Sequence, residues 1–161
     1  MSDVKPKYGS GGQAITITLT SLSSGSAREA TAIDNTSDLF LDVLVMLKTK
    51  TAAGTISGDP YIYLYALGTD DSGTTWPEPA TGSDAAITAG LNAKAVLLGA
   101  VNLAAASTAY KGGPFSLLRA FGGLAIPQKW SIIALNQCGV ALSATGGDHA
   151  LTYQGVQATI L

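Results

Sequence analysis

The chain has 161 residues, 47% of them hydrophobic, with a formal net charge of −2 and a pI near 5.1. That length fits one domain with ample material for a single core, and an acidic balance with nine scattered Lys/Arg argues against a surface that tracks phosphates, so direct nucleic-acid binding is not expected. Charged residues make up only 12%, about half the roughly 25% usual in soluble domains, which fits either a quiet β domain with a Thr/Ser-rich exterior or, the favoured reading, a subunit whose exterior is covered by neighbours.

Met1–Gly12 carries Lys5, Pro6, Lys7, Tyr8 and a Gly9-Ser10-Gly11-Gly12 run. It lacks the apolar surface to order itself and reads as a flexible N-terminal arm, leaving residues 13–161 as the single folded domain. Gln13–Leu22 alternates Ile15, Ile17 and Leu19 against Thr16, Thr18 and Thr20, the pattern of a half-buried strand. A Ser/Gly turn follows, then a weaker strand over Ala27–Ile33, in which the adjacent Arg28 and Glu29 point to opposite faces.

The organising stretch is Leu39–Thr69. Leu39, Leu41, Val43, Val45 and Leu47 fall on one side of a period-two run and face a core; after a Gly/Thr-rich connector, Tyr61, Tyr63, Tyr65 and Leu67 share one face of a second run, opposite Ile62, Leu64 and Ala66. The two runs read as a hairpin within one sheet. Asp70–Pro79 is punctuated by Gly73, Pro77 and Pro79 and begins a long loop reaching about Asn92. Lys94–Leu103 is apolar on both faces and reads as a strand covered on both sides, while Phe115, Leu118 and Phe121 are spaced for a short helical turn. Trp130–Gln137, Val140–Ala144 and His149–Leu161 read as strands. About eight strands with little helix imply an all-β antiparallel sandwich; a jelly roll fits best, with an immunoglobulin-like order as the alternative.

Chemistry is sparse. His149 is the sole histidine, and a triad would need it with Cys138 or a serine, oriented by Asp148; on a strand the neighbours diverge, and no nucleophile elbow accompanies them. One His and one Cys cannot fill a zinc site, and Asp70-Asp71-Ser72-Gly73, with Asp59 nearby, lacks the alternating ligands and terminal Glu of a calcium loop. No phosphate or dinucleotide fingerprint is present, so neither catalysis, cofactor nor metal is expected. A single cysteine allows no intrachain disulfide, and Cys138 reads as a buried small hydrophobe. Without a signal-peptide layout or 18 continuously apolar residues, the chain is expected to be soluble, made inside a cell and free of the membrane. The stripe Tyr61, Tyr63, Tyr65 reads first as β-propensity on a half-buried face, then as a protein contact, then as a sugar platform; Trp76 beside Pro77 anchors a partner or its own loop.

Three stretches together carry a resemblance: Leu39-Phe40-Leu41-Asp42-Val43 with Lys48-Thr49-Lys50; Tyr61–Leu67 running into Gly68–Glu78; and a C-terminal third holding Pro114-Phe115-Ser116, Ala120-Phe121-Gly122-Gly123, Lys129-Trp130, Asn136-Gln137 and Tyr153-Gln154-Gly155-Val156. The arrangement resembles small virion structural proteins of tailed bacteriophages. That resemblance implies a capsid decoration or cement protein, made in the host bacterial cytoplasm and incorporated in the virion, whose partner is the major capsid protein. It also implies a homo-oligomer, a trimer being favoured, whose N-terminal arm, here with Lys5, Lys7 and Tyr8, reaches a neighbour. The alternative is a tail, neck or fibre module that binds carbohydrate through the tyrosines or Trp76.

Overall fold

In a computed structural model, which describes residues 3–87 and 94–160, two antiparallel β-sheets pack face to face. In spatial order the first sheet holds β1 (Val4–Tyr8), β11 (Ala150–Ile160), β5 (Asp42–Lys50) and β9 (Ala109–Ser116), with β2 (Gln13–Ile15) on the β1 side of β11. The second holds β7 (Ala85–Ile87), β3 (Ala27–Glu29), β10 (Lys129–Asn136), β6 (Tyr61–Thr69) and β8 (Val96–Asn102), with β4 (Ile33–Asp34) on the β3 side of β10. The short helix α1 (Leu117–Ala120) follows β9, its start capped by the Ser116 hydroxyl, which accepts from the Arg119 N–H at 3.1 Å.

Period-two patterning builds the core. Val43, Val45 and Leu47 of β5 and Leu151 of β11 project from one sheet; Ile62, Leu64 and Ala66 of β6 with Trp130, Ile132 and Ala134 of β10 project from the other, and all are essentially inaccessible to solvent. The open side is closed where the edge strands β8 and β9 meet: the Phe115 ring lies over Gly99, and Val101 lies over Gly112, close approaches that a side chain at either glycine would block. Cys138 is fully buried, as a small hydrophobe should be.

Several elements differ from the sequence reading, each for a definable reason. The two runs of Leu39–Thr69 are not a hairpin: β5 pairs with β11 and β9, β6 pairs with β10 and β8, and the two face each other across the core. Both runs carry a strongly apolar face, and pairing in one sheet would still require a second sheet to cover it; crossing over lets each cover the other. The first run also starts late. The Asn35 side chain accepts from Phe40 N–H at 2.8 Å and donates to its carbonyl at 3.2 Å, and Leu39 takes a left-handed φ of 52°, so Leu39 and Leu41 point to solvent instead of the core.

Lys94–Leu103 is not covered on both sides: β8 is an edge strand, with Val96 and Leu97 exposed and Val101 buried. Gln13–Leu22 keeps its alternating burial, but only Gln13–Ile15 is strand, because the chain then leaves the first sheet and the Thr16 carbonyl accepts from the N–H of Thr31, in the link between β3 and β4. The Ala27–Ile33 strand is broken into β3 and the following β4. Val140–Ala144 contributes only an isolated bridge from Leu142 to Thr51, whereas Ala109–Ser116, rich in Gly and lacking alternation, is a full strand held by pairing with β5. The long loop after Thr69 is interrupted by β7; its expected end near Asn92 lies outside the described residues. Finally, part of the Met1–Gly12 arm is ordered: Val4–Tyr8 pairs with Val156–Ile160 through backbone bonds that need no buried side chain.

Candidate contact surfaces

The outer face of the second sheet carries the tyrosine stripe. Alternation on β6 sends Ile62, Leu64 and Ala66 inward and Tyr61, Tyr63 and Tyr65 outward, half-buried, with ring centroids 5.8 and 6.4 Å apart and tilted by 34° and 39°. Register places Leu135 and Ala100 on either side of Tyr63, and Ile133 and Leu97 on either side of Tyr65. The stripe is thus the middle of an apolar strip. The Tyr63 hydroxyl donates to Asp59 at 2.6 Å, and this bond, with the carboxylate charge behind it, pushes the phenol up to about 12.

Trp76 belongs to the same layer. The loop after β6 folds back over the sheet and buries Ala27, Leu67, Ala80, Ile87 and Ile133, with Trp76 and Tyr65 packed at the margin. A fully buried carboxylate holds that loop: Glu29 on β3 accepts from the N–H groups of Thr81 at 2.9 Å and Gly82 at 2.8 Å. Gly82 lies against the indole so closely that a Cβ there would fall 2.7 Å from the ring, at a φ of 73° that favours glycine independently. Nearby, Asp84 accepts from Arg28 at 2.6 Å and from the Thr18 hydroxyl at 2.6 Å and N–H at 3.1 Å. Burial pushes its carboxyl up, but these bonds outweigh burial and hold it below its ordinary value.

Beside Trp76 opens a cleft of about 730 Å³ walled by Trp76, Pro77, Ile126 and Pro127, with Asp70 and Gln128 supplying polar edges. Gln128 accepts from Ser72 through Oε1 at 2.8 Å, which leaves its Nε2, without a partner among the described residues, as a donor toward the cleft.

The other three proposed contact residues lie elsewhere. Lys5, Lys7 and Tyr8 are on β1, at an edge of the first sheet, and alternation divides them: the lysines share one face and Tyr8 the other, paired with Val156. Two separate surfaces therefore hold the seven residues, Tyr61, Tyr63, Tyr65 and Trp76 on one and Lys5, Lys7 and Tyr8 on the other.

No family model matches the chain, and no curated protein or solved structure matches it either.

Ser143, Asp148 and His149 do not form a relay. The Ser143 hydroxyl donates to Asp148 at 2.6 Å, while His149 Nε2 donates to the Ser143 carbonyl at 2.9 Å and its Nδ1 accepts from the buried Thr49 hydroxyl at 3.0 Å. The imidazole thus bonds Ser143 through the backbone rather than its nucleophilic oxygen. The Asp71 carboxylate accepts from the N–H groups of Thr75 and, more weakly, Thr74, which keep it below its ordinary value, and Asp59 is engaged by Tyr63. Among the described residues, no three His, Cys, Asp or Glu side chains gather as a metal site, and no helix is long and apolar enough to cross a membrane.

Glu29 escaped sequence reasoning, since a lone Glu in a weak strand reads as a solvated charge. The cleft escaped it too, because its walls come from segments some fifty residues apart.

Proposed function

We propose that this chain is a non-enzymatic structural subunit of a tailed-bacteriophage virion, a capsid decoration or cement protein that self-associates and binds across major capsid subunits. The observation that carries the reading is the apolar aromatic strip of Tyr61, Tyr63, Tyr65, Leu97 and Leu135 left on the outside of a sandwich with only 12% charged residues. Area of this kind contributes on the order of 25 cal/mol per Å² when covered, before association costs, so repeated contacts strengthen a shell by adhesion.

Strand order adds support by analogy. With β1/β2 and β3/β4 each taken as one position and β7 as an addition, the chain positions run 1-8-3-6 in one sheet and 2-7-4-5 in the other, an order that favours reading the sandwich as a jelly roll, an architecture recurrent in viral shells and lectins. The deciding experiment is cosedimentation with purified phage heads followed by particle reconstruction. Density over the shell, lost in a Tyr61→Ser/Tyr65→Ser variant, is expected; density confined to the tail overturns the capsid placement.

A second reading is favoured by the Trp76 cleft, where an indole face, a carboxylate and a free amide donor suit a saccharide ring and its hydroxyls. It assigns the chain to a tail, neck or fibre module that touches host carbohydrate. Glycan-array binding abolished by Trp76→Ala supports it; silence on the array with unchanged host adsorption removes it.

A further inference from the structure

The five-residue ladder of β1 on β11 has an unusual division of its faces. Val4 pairs with Ile160, Pro6 with Ala158 and Tyr8 with Val156, and these six apolar residues lie on one face because they share parity; Lys5 with Thr159 and Lys7 with Gln157 make the other face polar throughout. The apolar face is uncovered. Val4 is 69% exposed, Tyr8 60% and Ile160 72%, while the polar face is tied to the body where Gln157 donates to the Asp38 carbonyl at 2.8 Å. β5 pairs only with Ala150–Val156, so the ladder beyond Val156 projects from the sandwich as a two-stranded ribbon.

Edge pairing is not what this ribbon is built for. Gly9 N–H points to Gly155 on β11, so by alternation Lys7 and Lys5 do the same, and the free edge belongs to Val4, Pro6 and Tyr8. Proline at its centre removes the middle donor, the usual device against strand addition. What remains for a partner is the face.

We infer that the apolar face of the β1–β11 ribbon is a self-association surface, covered by the same face of a second copy of this chain around a two-fold axis. The inference deepens the self-association in the reading above and rests on that part of it alone. The face is shaped for its own copy: a small central pair, Pro6 and Ala158, is flanked by the larger pairs Val4/Ile160 and Tyr8/Val156. A two-fold that reverses strand direction sets the Val4/Ile160 end of one copy against the Tyr8/Val156 end of the other, with the small residues at the axis. The six residues expose roughly 500 Å² per copy, so complete burial on two copies reaches about 1,000 Å² in total, the lower bound for a specific interface. None of the six side chains is charged, and Asp42, which borders Val156 on the same face, lies at the rim with its carboxylate held by the Ser116 hydroxyl and the Leu118 N–H.

Light scattering on the eluting full chain tests this. The wild-type chain is expected at twice its 16.3 kDa, and Tyr8→Ser/Ile160→Ser at 16.3 kDa, with circular dichroism unchanged because both side chains are exposed. Lys5→Ser/Lys7→Ser, on the opposite face, is expected to remain paired. In a second measurement, Ala158→Cys at the axis is expected to cross-link to its own copy under mild oxidation, Cys138 being buried, while Lys7→Cys does not. A monomeric wild type, or a trimer, overturns the two-fold contact, and so does a pair that survives the Tyr8/Ile160 change; the last two results leave self-association standing and refute only its location here.

Discussion

Replacing Glu29 by Ala removes the acceptor that holds the Trp76 loop on the outer sheet. Glu29 is 0% exposed and takes the Thr81 and Gly82 N–H groups at 2.9 and 2.8 Å, with a longer contact to the Thr81 hydroxyl at 3.4 Å. Both donors are only part-buried, and hydrogen bonds to a carboxylate contribute about 1.5–3 kcal/mol each, part of which water restores once the loop opens, so a net loss of about 2–3 kcal/mol is expected. Glu29→Gln keeps the volume but turns an NH₂ group toward one of the two donors, and is expected to lose about 1–2 kcal/mol.

Urea unfolding supplies the stability change, and quenching of Trp76 supplies the local one. Trp130 is fully buried, so acrylamide reaches Trp76 first, and in Glu29→Ala its quenching is expected to rise under conditions where the core stays folded. A loss below about 0.5 kcal/mol with unchanged quenching refutes the clamp, because two hydrogen bonds to a buried carboxylate cannot be lost that cheaply.

Acid should loosen the same side of the molecule. The Asp84 carboxyl is held below its ordinary 3.8, so its bonds to Arg28 and Thr18 add stability that is full above that value and disappears as pH falls through the lowered one. Asp84→Asn is expected to cost about 1–2 kcal/mol at neutral pH and to flatten the loss on acidification; an equally steep acid limb in the variant refutes the assignment. Among the six tyrosines, ultraviolet titration is expected to find Tyr63 ionising near 12, and Asp59→Asn to bring it back toward its ordinary 10.0. An unchanged late transition in that variant removes Asp59 as the cause. In Gly155→Ala the new Cβ collides with the Phe40 ring, and about 1–3 kcal/mol of destabilisation is expected in urea, partly recovered by Phe40→Leu; no loss would mean that the ring has room to move.

Legibility of the fold followed the strength of its local pattern. Val43, Val45 and Leu47, and Ile62, Leu64 and Ala66, alternate with period two and face the core. The α1 turn was legible from apolar spacing near three. Pattern misled at Leu39 and Leu41, which continue the alternation but are turned outward by the neighbouring Asn35 side chain, and at β8, which looks doubly covered but ends the sheet. Strand β9 had no pattern at all and exists because β5 needs a neighbour.

The contact residues divide the same way. Tyr61, Tyr63 and Tyr65 lie on one face of β6 by alternation alone, whereas the Trp76 cleft joins Trp76 and Pro77 to Ile126 and Pro127 across the fold. Val4-Lys5-Pro6-Lys7-Tyr8 alternates visibly, yet its meaning lay in the register with Val156–Ile160 at the other end of the chain. By itself the sequence determined a charge-poor, all-β domain and which side of most strands is apolar, because side-chain parity is a local property of the backbone. Which strands share a sheet, where the chain crosses the core and which apolar faces stay uncovered were decided by tertiary structure, because these depend on partners up to 156 positions away, as between Val4 and Ile160 (160 − 4).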